Sequence, residues 1–248
     1  MNGLKLSNST GSLYLSPNVK VDIPESIDWR EKGAVTEVKQ QRKCGSCWTF
    51  SATGALEGQI WRKTGKLISL SEQQLVDCDM SDYGCRGGFP ASAFKYIKSV
   101  GGIEKEEDYP YVSQSMYEPR RKCEFNKEKV VASNTGYVQL PKGDETKLRE
   151  AVATIGPISI AISARPSLSQ YTEGIYHDDE CGRTRINHAV LLVGYGTDKS
   201  TGTPYWLIKN SWGPEWGENG YFRMERNINS CQIASLSTYP LVWAGDDD

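Results

Sequence analysis

Two cysteines three positions apart open the run Cys44-Gly45-Ser46-Cys47-Trp48-Thr49-Phe50. No other stretch limits this chain so tightly. Apolar residues follow at three- and four-residue steps: Phe50, Ala52, Ala55, Leu56, Ile60 and Trp61. That spacing predicts an amphipathic helix with Cys47 in its first turn. At a helix N-terminus the unpaired N–H groups and the positive end of the dipole favour an anion. A thiolate is an anion, so the position lowers a cysteine pKa and makes the sulfur a nucleophile.

A Cys-x-x-Cys pair is also half of many zinc sites and the core of redox dithiols. Zinc needs two further ligands at short spacing, and the chain has neither a second Cys-x-x-Cys nor a His pair. Spacing alone leaves these readings open.

The 248 residues allow one large domain or two lobes. A net charge of −2 gives no basic patch for nucleic acid. No apolar run approaches the length that spans a bilayer. Seven cysteines is an odd count. In an oxidising compartment it suggests three disulfides and one free thiol, a candidate nucleophile; in the cytosol it would carry no such meaning. Met1 to Ser12 lacks the apolar core of a signal peptide, so the expectation is a cytosolic chain or one whose upstream part has been removed. The sequon Asn8-Ser9-Thr10 favours the second.

Residues 1–20 are polar and aperiodic, as in a linker or the end of a leader. Three more helices are expected. One runs from the N-cap Ser71 to about Asp77-Cys78, and one opens on Pro90 and closes at Gly101-Gly102. A third spans about Asp144 to Ile155. Strand signals then follow at Ile158–Ile162, His188–Val193, Tyr205–Lys209, Tyr221–Met224 and Ser235–Tyr239, read as antiparallel and barrel-like. A helical lobe followed by a β lobe places a groove between them, a common location for a substrate site.

A thiol nucleophile needs a base, an orienter for that base, and donors for the oxyanion. The chain has two histidines. His177 lies in a polar loop and reads as a solvated surface residue. His188 opens an apolar strand; it fits a base, or a satisfied interface histidine. Asn210 follows another strand, where its side-chain oxygen could fix an imidazole, with Trp212 excluding water; ordinary turn chemistry is the alternative. Gln41 offers an amide donor upstream of Cys47, or is an exposed loop residue.

Together these residues resemble the papain family of cysteine proteases, nearest to the cathepsin L type. His188 is 141 residues after Cys47, and Asn210 is 163 after it. The resemblance covers about residues 22–242. It includes Asp28-Trp29-Arg30, Ser71-Glu72-Gln73, Gly84-Cys85-Arg86-Gly87-Gly88, Asn187-His188-Ala189, Asn210-Ser211-Trp212-Gly213 and Trp216-Gly217. It implies an α+β, two-lobe fold over residues 21–242. The helical lobe would span about 31–135 and the β-barrel-like lobe about 136–242. Residues 1–20 would be a propeptide remnant, and Trp243–Asp248 a tail.

The resemblance also implies roles. Cys47 is the nucleophile, His188 its base, Asn210 the orienter and Trp212 its shield. Gln41 and the Cys47 N–H form the oxyanion hole. The bridges are Cys44–Cys85, Cys78–Cys123 and Cys181–Cys231. Gly87 and Gly88 bind the substrate backbone, where a side chain would obstruct close approach. Phe89, Pro90, Ala161, Ile186 and Leu236 line an apolar pocket for the second residue before the cut; ordinary core is the alternative for these apolar residues. Asn187 stands where some relatives carry Asp. No histidine-bearing occluding loop of the cathepsin B kind follows Gly84-Cys85, so an endopeptidase is expected. The implied enzyme needs no cofactor or metal and acts as a lysosomal or secreted monomer on proteins and peptides. Its propeptide and cystatin-type proteins would inhibit it. A catalytically silent binding or storage relative is the competing reading, and such relatives lack the nucleophile. A serine hydrolase is excluded because no Gly-x-Ser-x-Gly elbow is present.

Overall fold

The computed structural model describes residues 2–5, 11–15 and 22–242. The sequon at Asn8 and the tail from Trp243 to Asp248 lie outside the described residues. Helix α1 spans Cys47–Thr64 and stops at Gly65, whose positive φ of 69° suits glycine. Helix α2, Glu72–Cys78, is capped by the Ser71 hydroxyl, which accepts from the Gln74 N–H. Helix α3, Pro90–Val100, begins on proline and ends at Gly101. Helix α4, Glu145–Thr154, is capped by Asp144. A single turn, α5, covers Pro166–Ser169.

Among the described residues, eleven strands complete the fold. They are β1 (Ser12–Leu13), β2 (Ile27–Asp28), β3 (Ile103–Glu104), β4 (Val130–Ala132), β5 (Gly136–Gln139) and β6 (Ile158–Ile162). The others are β7 (Ile175–Tyr176), β8 (His188–Thr197), β9 (Pro204–Lys209), β10 (Tyr221–Glu225) and β11 (Ser237–Leu241). β3 and β4 pair alone; the remainder form one sheet in the order β1-β5-β11-β6-β8-β9-β10-β7, with β2 added against β8. The interior pairings are antiparallel, as expected, but both outer ones, β1–β5 and β10–β7, are parallel. Two-residue edge strands joined by long connections carry no hairpin signal, so the sequence pattern could not register them.

Two apolar clusters mark the two lobes of this α+β fold. One gathers Trp48, Leu56, Phe94 and Ile97 from α1 and α3. The other lies on the sheet around Leu148, Ile160, Val190, Trp206 and Phe222. Helix α1 stands between them, packing on β8, β6 and β11 on one side and on α2 and α3 on the other. The sequence suggests a helix with one wet face. In the structure every residue from Cys47 to Gln59 except Phe50 is buried. Its polar face is inside and satisfied: Ser51 bonds the Val190 carbonyl, Thr53 bonds Glu72, and Gln59 bonds the Ile155 carbonyl.

Candidate active site

Cys47 is the first residue of α1, so its thiol sits where a helix N-terminus supports negative charge. The Ser46 hydroxyl does not cap the helix; it pairs with the Tyr111 hydroxyl at 2.6 Å. The other six cysteines are joined as Cys44–Cys85, Cys78–Cys123 and Cys181–Cys231, and Cys47 is free. With its sulfur committed to Cys85, Cys44 cannot be half of a zinc site or a dithiol with Cys47.

Sheet register assembles the next three residues. β8 and β9 are antiparallel with Leu191 opposite Lys209. Continuing that register beyond the end of β9 sets Asn210 and Trp212 beside the start of β8, where His188 lies. His188 Nε2 is 2.9 Å from Asn210 Oδ1, and the His188 and Trp212 rings stack with centroids 5.0 Å apart. An amide oxygen only accepts, so Nε2 carries the hydrogen and Nδ1 holds the lone pair. Nδ1 is buried and makes no hydrogen bond among the described residues. The Ala189 N–H points at Cys47 Sγ from 3.5 Å, which ties the start of β8 to the first residue of α1.

Gln41 is buried, not an exposed loop residue. Its backbone N–H donates to the Ser211 carbonyl, its Oε1 accepts from the Ser211 hydroxyl at 2.7 Å, and its Nε2 donates to the Cys44 carbonyl at 2.8 Å. Ser211 thus orients Gln41, a role that its turn-like surroundings in the sequence concealed. His177 is exposed, lies between Glu225 and Asp179, and takes no part in this cluster.

Residues 2–5 run through the groove over the cluster. The Gly3 N–H donates to Cys47 Sγ at 3.2 Å, Gly88 N–H donates to the Gly3 carbonyl, and Lys5 N–H donates to the Gly88 carbonyl. Leu4 N–H donates to the Asn187 carbonyl. A Cβ on Gly3 would lie 1.7 Å from the Gly45 carbonyl oxygen, and one on Gly87 2.5 Å from the Gly3 carbonyl. Only bare backbone fits there. Under this cover Cys47 and His188 are fully buried. Burial pushes the thiol pKa up against the opposing pull of the Ala189 and Gly3 N–H groups. Burial likewise pushes the imidazole down to about 4, against the Asn210 bond. The covered pair is therefore neutral.

Phe89, Pro90, Ala161 and Leu236 line one small cavity with Tyr137 and Ile160; Ile186 is half-buried and outside that lining. The Asn187 side chain is used structurally, bonding both the N–H and the carbonyl of Ala164. Beneath Gly87–Gly88 lies a feature that the sequence reading missed. Asp82 Oδ1 accepts the Phe89 N–H, Asp79 Oδ1 accepts from Ser81, and burial together with the nearby Asp79 charge pushes the Asp82 carboxyl up. Arg120 clamps the carbonyls of both residues.

The family model "Papain family cysteine protease" matches residues 23–241. Cathepsin L of Sarcophaga peregrina is 53% identical over 238 residues, covering 94% of this chain and 68% of that protein. Cathepsin L2 of Homo sapiens is 50% identical, covering 94% and 70%. Among solved structures, the digestive procathepsin L2 proteinase of Tenebrio molitor larval midgut superposes with a TM-score of 0.90 at 40% identity, covering 97% of this chain and 78% of that one. The chain spans about two thirds of the length of the curated relatives. It belongs to the papain family of cysteine proteases and is a cysteine endopeptidase similar to the cathepsins L.

Proposed function

We propose that the chain cleaves peptide bonds through a Cys47–His188 thiolate–imidazolium pair and an acyl-enzyme. One observation carries this reading. Cys47 heads a helix beside the strand start of His188, and that ring is held by Asn210 and Trp212 with its lone-pair nitrogen unpartnered. When water and substrate replace the covering segment, the desolvation that keeps the pair neutral is removed, and the helix terminus favours the thiolate. Sγ attacks the carbonyl carbon. Gln41 Nε2 and the Cys47 N–H stabilise the oxyanion. His188 protonates the departing amine, and water then hydrolyses the thioester.

Gly88 binds the substrate backbone, as it binds Gly3 and Lys5 in this structure, and Gly87 lets that backbone approach closely. The second residue before the cut enters the apolar cavity of Phe89, Pro90, Ala161 and Leu236. No charged residue lines that cavity, so it takes Leu, Val or Phe and rejects Arg. Residues 2–5 belong to an inhibitory propeptide, and cystatin-type inhibitors occupy the same groove. Three disulfides suit a lysosomal or secreted monomer.

The test is kcat/KM for matched peptides carrying Leu, Phe or Arg at the second position. Leu236→Ala should shift preference towards Phe, by a gain of about 1–3 kcal/mol. Leu236→Glu should admit Arg. A wild type that prefers Arg, or ratios that neither substitution moves, would refute the pocket assignment.

A further inference from the structure

The groove continues past Cys47, away from Gly88, into a cavity of about 460 Å³ beside Trp212 and Asn187. The covering segment identifies the two sides. Leu4 and Lys5 lie along Gly88, Gly3 crosses the sulfur, and Asn2 lines the far cavity. If the Gly88 side holds residues before the cut, as in the reading of the groove proposed above, the far side receives residues after it.

Two guanidinium groups line this far cavity, Arg42 and Arg165, and none of its lining residues is acidic. Arg42 is exposed and has no ion pair among the described residues. It sits at φ 58°, a left-handed conformation uncommon for a side chain of this size. Its neighbour Gln41 holds that loop in place through the Ser211 and Cys44 bonds. Arg165 is half-buried at the start of α5 and 3.3 Å from Asp178, which is not among the residues lining the cavity, so its charge is partly compensated. The result is a positive wall on one side of the scissile bond, facing an apolar, uncharged pocket on the other.

We infer that Arg42 and Arg165 are specificity residues that select an acidic side chain at the first or second position after the cleaved bond. Both would act on binding and orientation, not on the chemistry at Cys47. A carboxylate there gains one or two partly exposed ion pairs, and a lysine meets repulsion from the same two groups. For exposed charges this amounts to a Glu-to-Lys ratio of kcat/KM of about tenfold. The ratio should shrink with added salt, which screens charges in the open groove.

The experiment uses the full chain, with rates referred to the amount of Cys47 titrated by an epoxide inhibitor. Substrates are quenched fluorescent peptides with Leu second before the cut and Glu, Ala or Lys at each of the two positions after it. The expected result is a Glu/Lys ratio of about ten in the wild type. It should fall towards one in Arg42→Gln and Arg165→Gln and invert in Arg42→Glu. Arg42 lies on an exposed loop, so its two variants decide the matter even if Arg165→Gln disturbs the Asp178 pairing. A wild-type ratio near one, or a ratio unmoved by both Arg42 variants, overturns the inference. A peptidyl dye amide, with nothing but dye after the cut, separates the two readings. If the wild type hydrolyses it while the Glu/Lys ratio is one, only the inference fails. If nothing is hydrolysed, the protease reading fails and takes the inference with it.

Discussion

Burial acts on Cys47 and His188 in opposite senses, raising the thiol and lowering the imidazole, and both shifts disfavour charge. The covered pair is thiol plus imidazole; in the mechanism proposed above the uncovered pair is thiolate plus imidazolium. Both hold one shared proton, so over most of the range above about 4 uncovering takes no pH dependence from this pair. Its reactivity depends on whether the groove is open. Cys47→Ala should abolish peptide cleavage and leave the fold intact, since Cys47 is in no disulfide. His188→Ala should lower kcat/KM by on the order of 10³–10⁴. His177→Ala should leave kcat/KM nearly unchanged, because its contacts with Asp179 and Glu225 are at the surface. Peptide hydrolysis by the three purified variants checks this, and a severe loss in the His177 variant would assign the base to the wrong histidine.

Among the larger elements, α2 to α4 were legible in the sequence because their ends are written in local chemistry, Ser71, Pro90, Gly101 and Asp144, α1 through its apolar spacing, and β6 and β8 to β11 as bounded apolar runs. His188, Asn210 and Gln41 were legible only through resemblance, since each also suits a bland role; register and burial bring them together. The buried polar face of α1 was not legible, because periodicity does not say what packs against a polar stripe. Nor was the path of residues 2–5, whose composition is that of any linker. That short stretch carries a prediction. Gly3→Ala would force a Cβ against the Gly45 carbonyl, an overpacking cost of about 1–3 kcal/mol. Epoxide labelling of Cys47 in the full chain should then rise about tenfold at pH 5–6, and equal labelling would mean that the segment does not guard the thiol. The loop beneath Gly87–Gly88 carries another. Burial, then the charge of Asp79, raises Asp82 to about 8. A carboxyl raised above its ordinary value near 4 contributes stability at acid pH that is lost as pH climbs towards 8. Asp82→Asn keeps an acceptor for the Phe89 N–H and removes the titration. It should stabilise the protein at pH 7.5 by on the order of 1–2 kcal/mol, with little effect at pH 4.5. Thermal melts across that range check the slope; a variant as pH-sensitive as the wild type would dismiss the pair as its cause.

On the scale of the whole molecule, the two lobes meet along α1, and the contact is ionic as well as apolar. Lys39 lies 2.9 Å from Glu72, 3.7 Å from Glu106 and 3.9 Å from Glu57. From the sheet side Lys209, adjacent to Asn210, donates to the Thr36 hydroxyl, which donates to Glu57 Oε2 at 2.7 Å. Glu57 Oε1 also accepts the Leu70 N–H. One carboxylate on α1 thus joins the helical lobe to the strand that leads into Asn210, the residue bonded to His188. Burial pulls Lys209 down to about 8, and Glu57 is the largest influence supporting its charge. Glu57→Gln leaves a buried ammonium short of its counter-charge and should cost about 3–5 kcal/mol, seen as a lower urea midpoint. Adding Lys209→Met removes the stranded charge and should recover part of that loss. In a double-mutant cycle the two changes should therefore couple by about 1–3 kcal/mol. Purely additive effects would mean that Glu57 does not support the Lys209 charge and that this link between the lobes carries no ionic coupling.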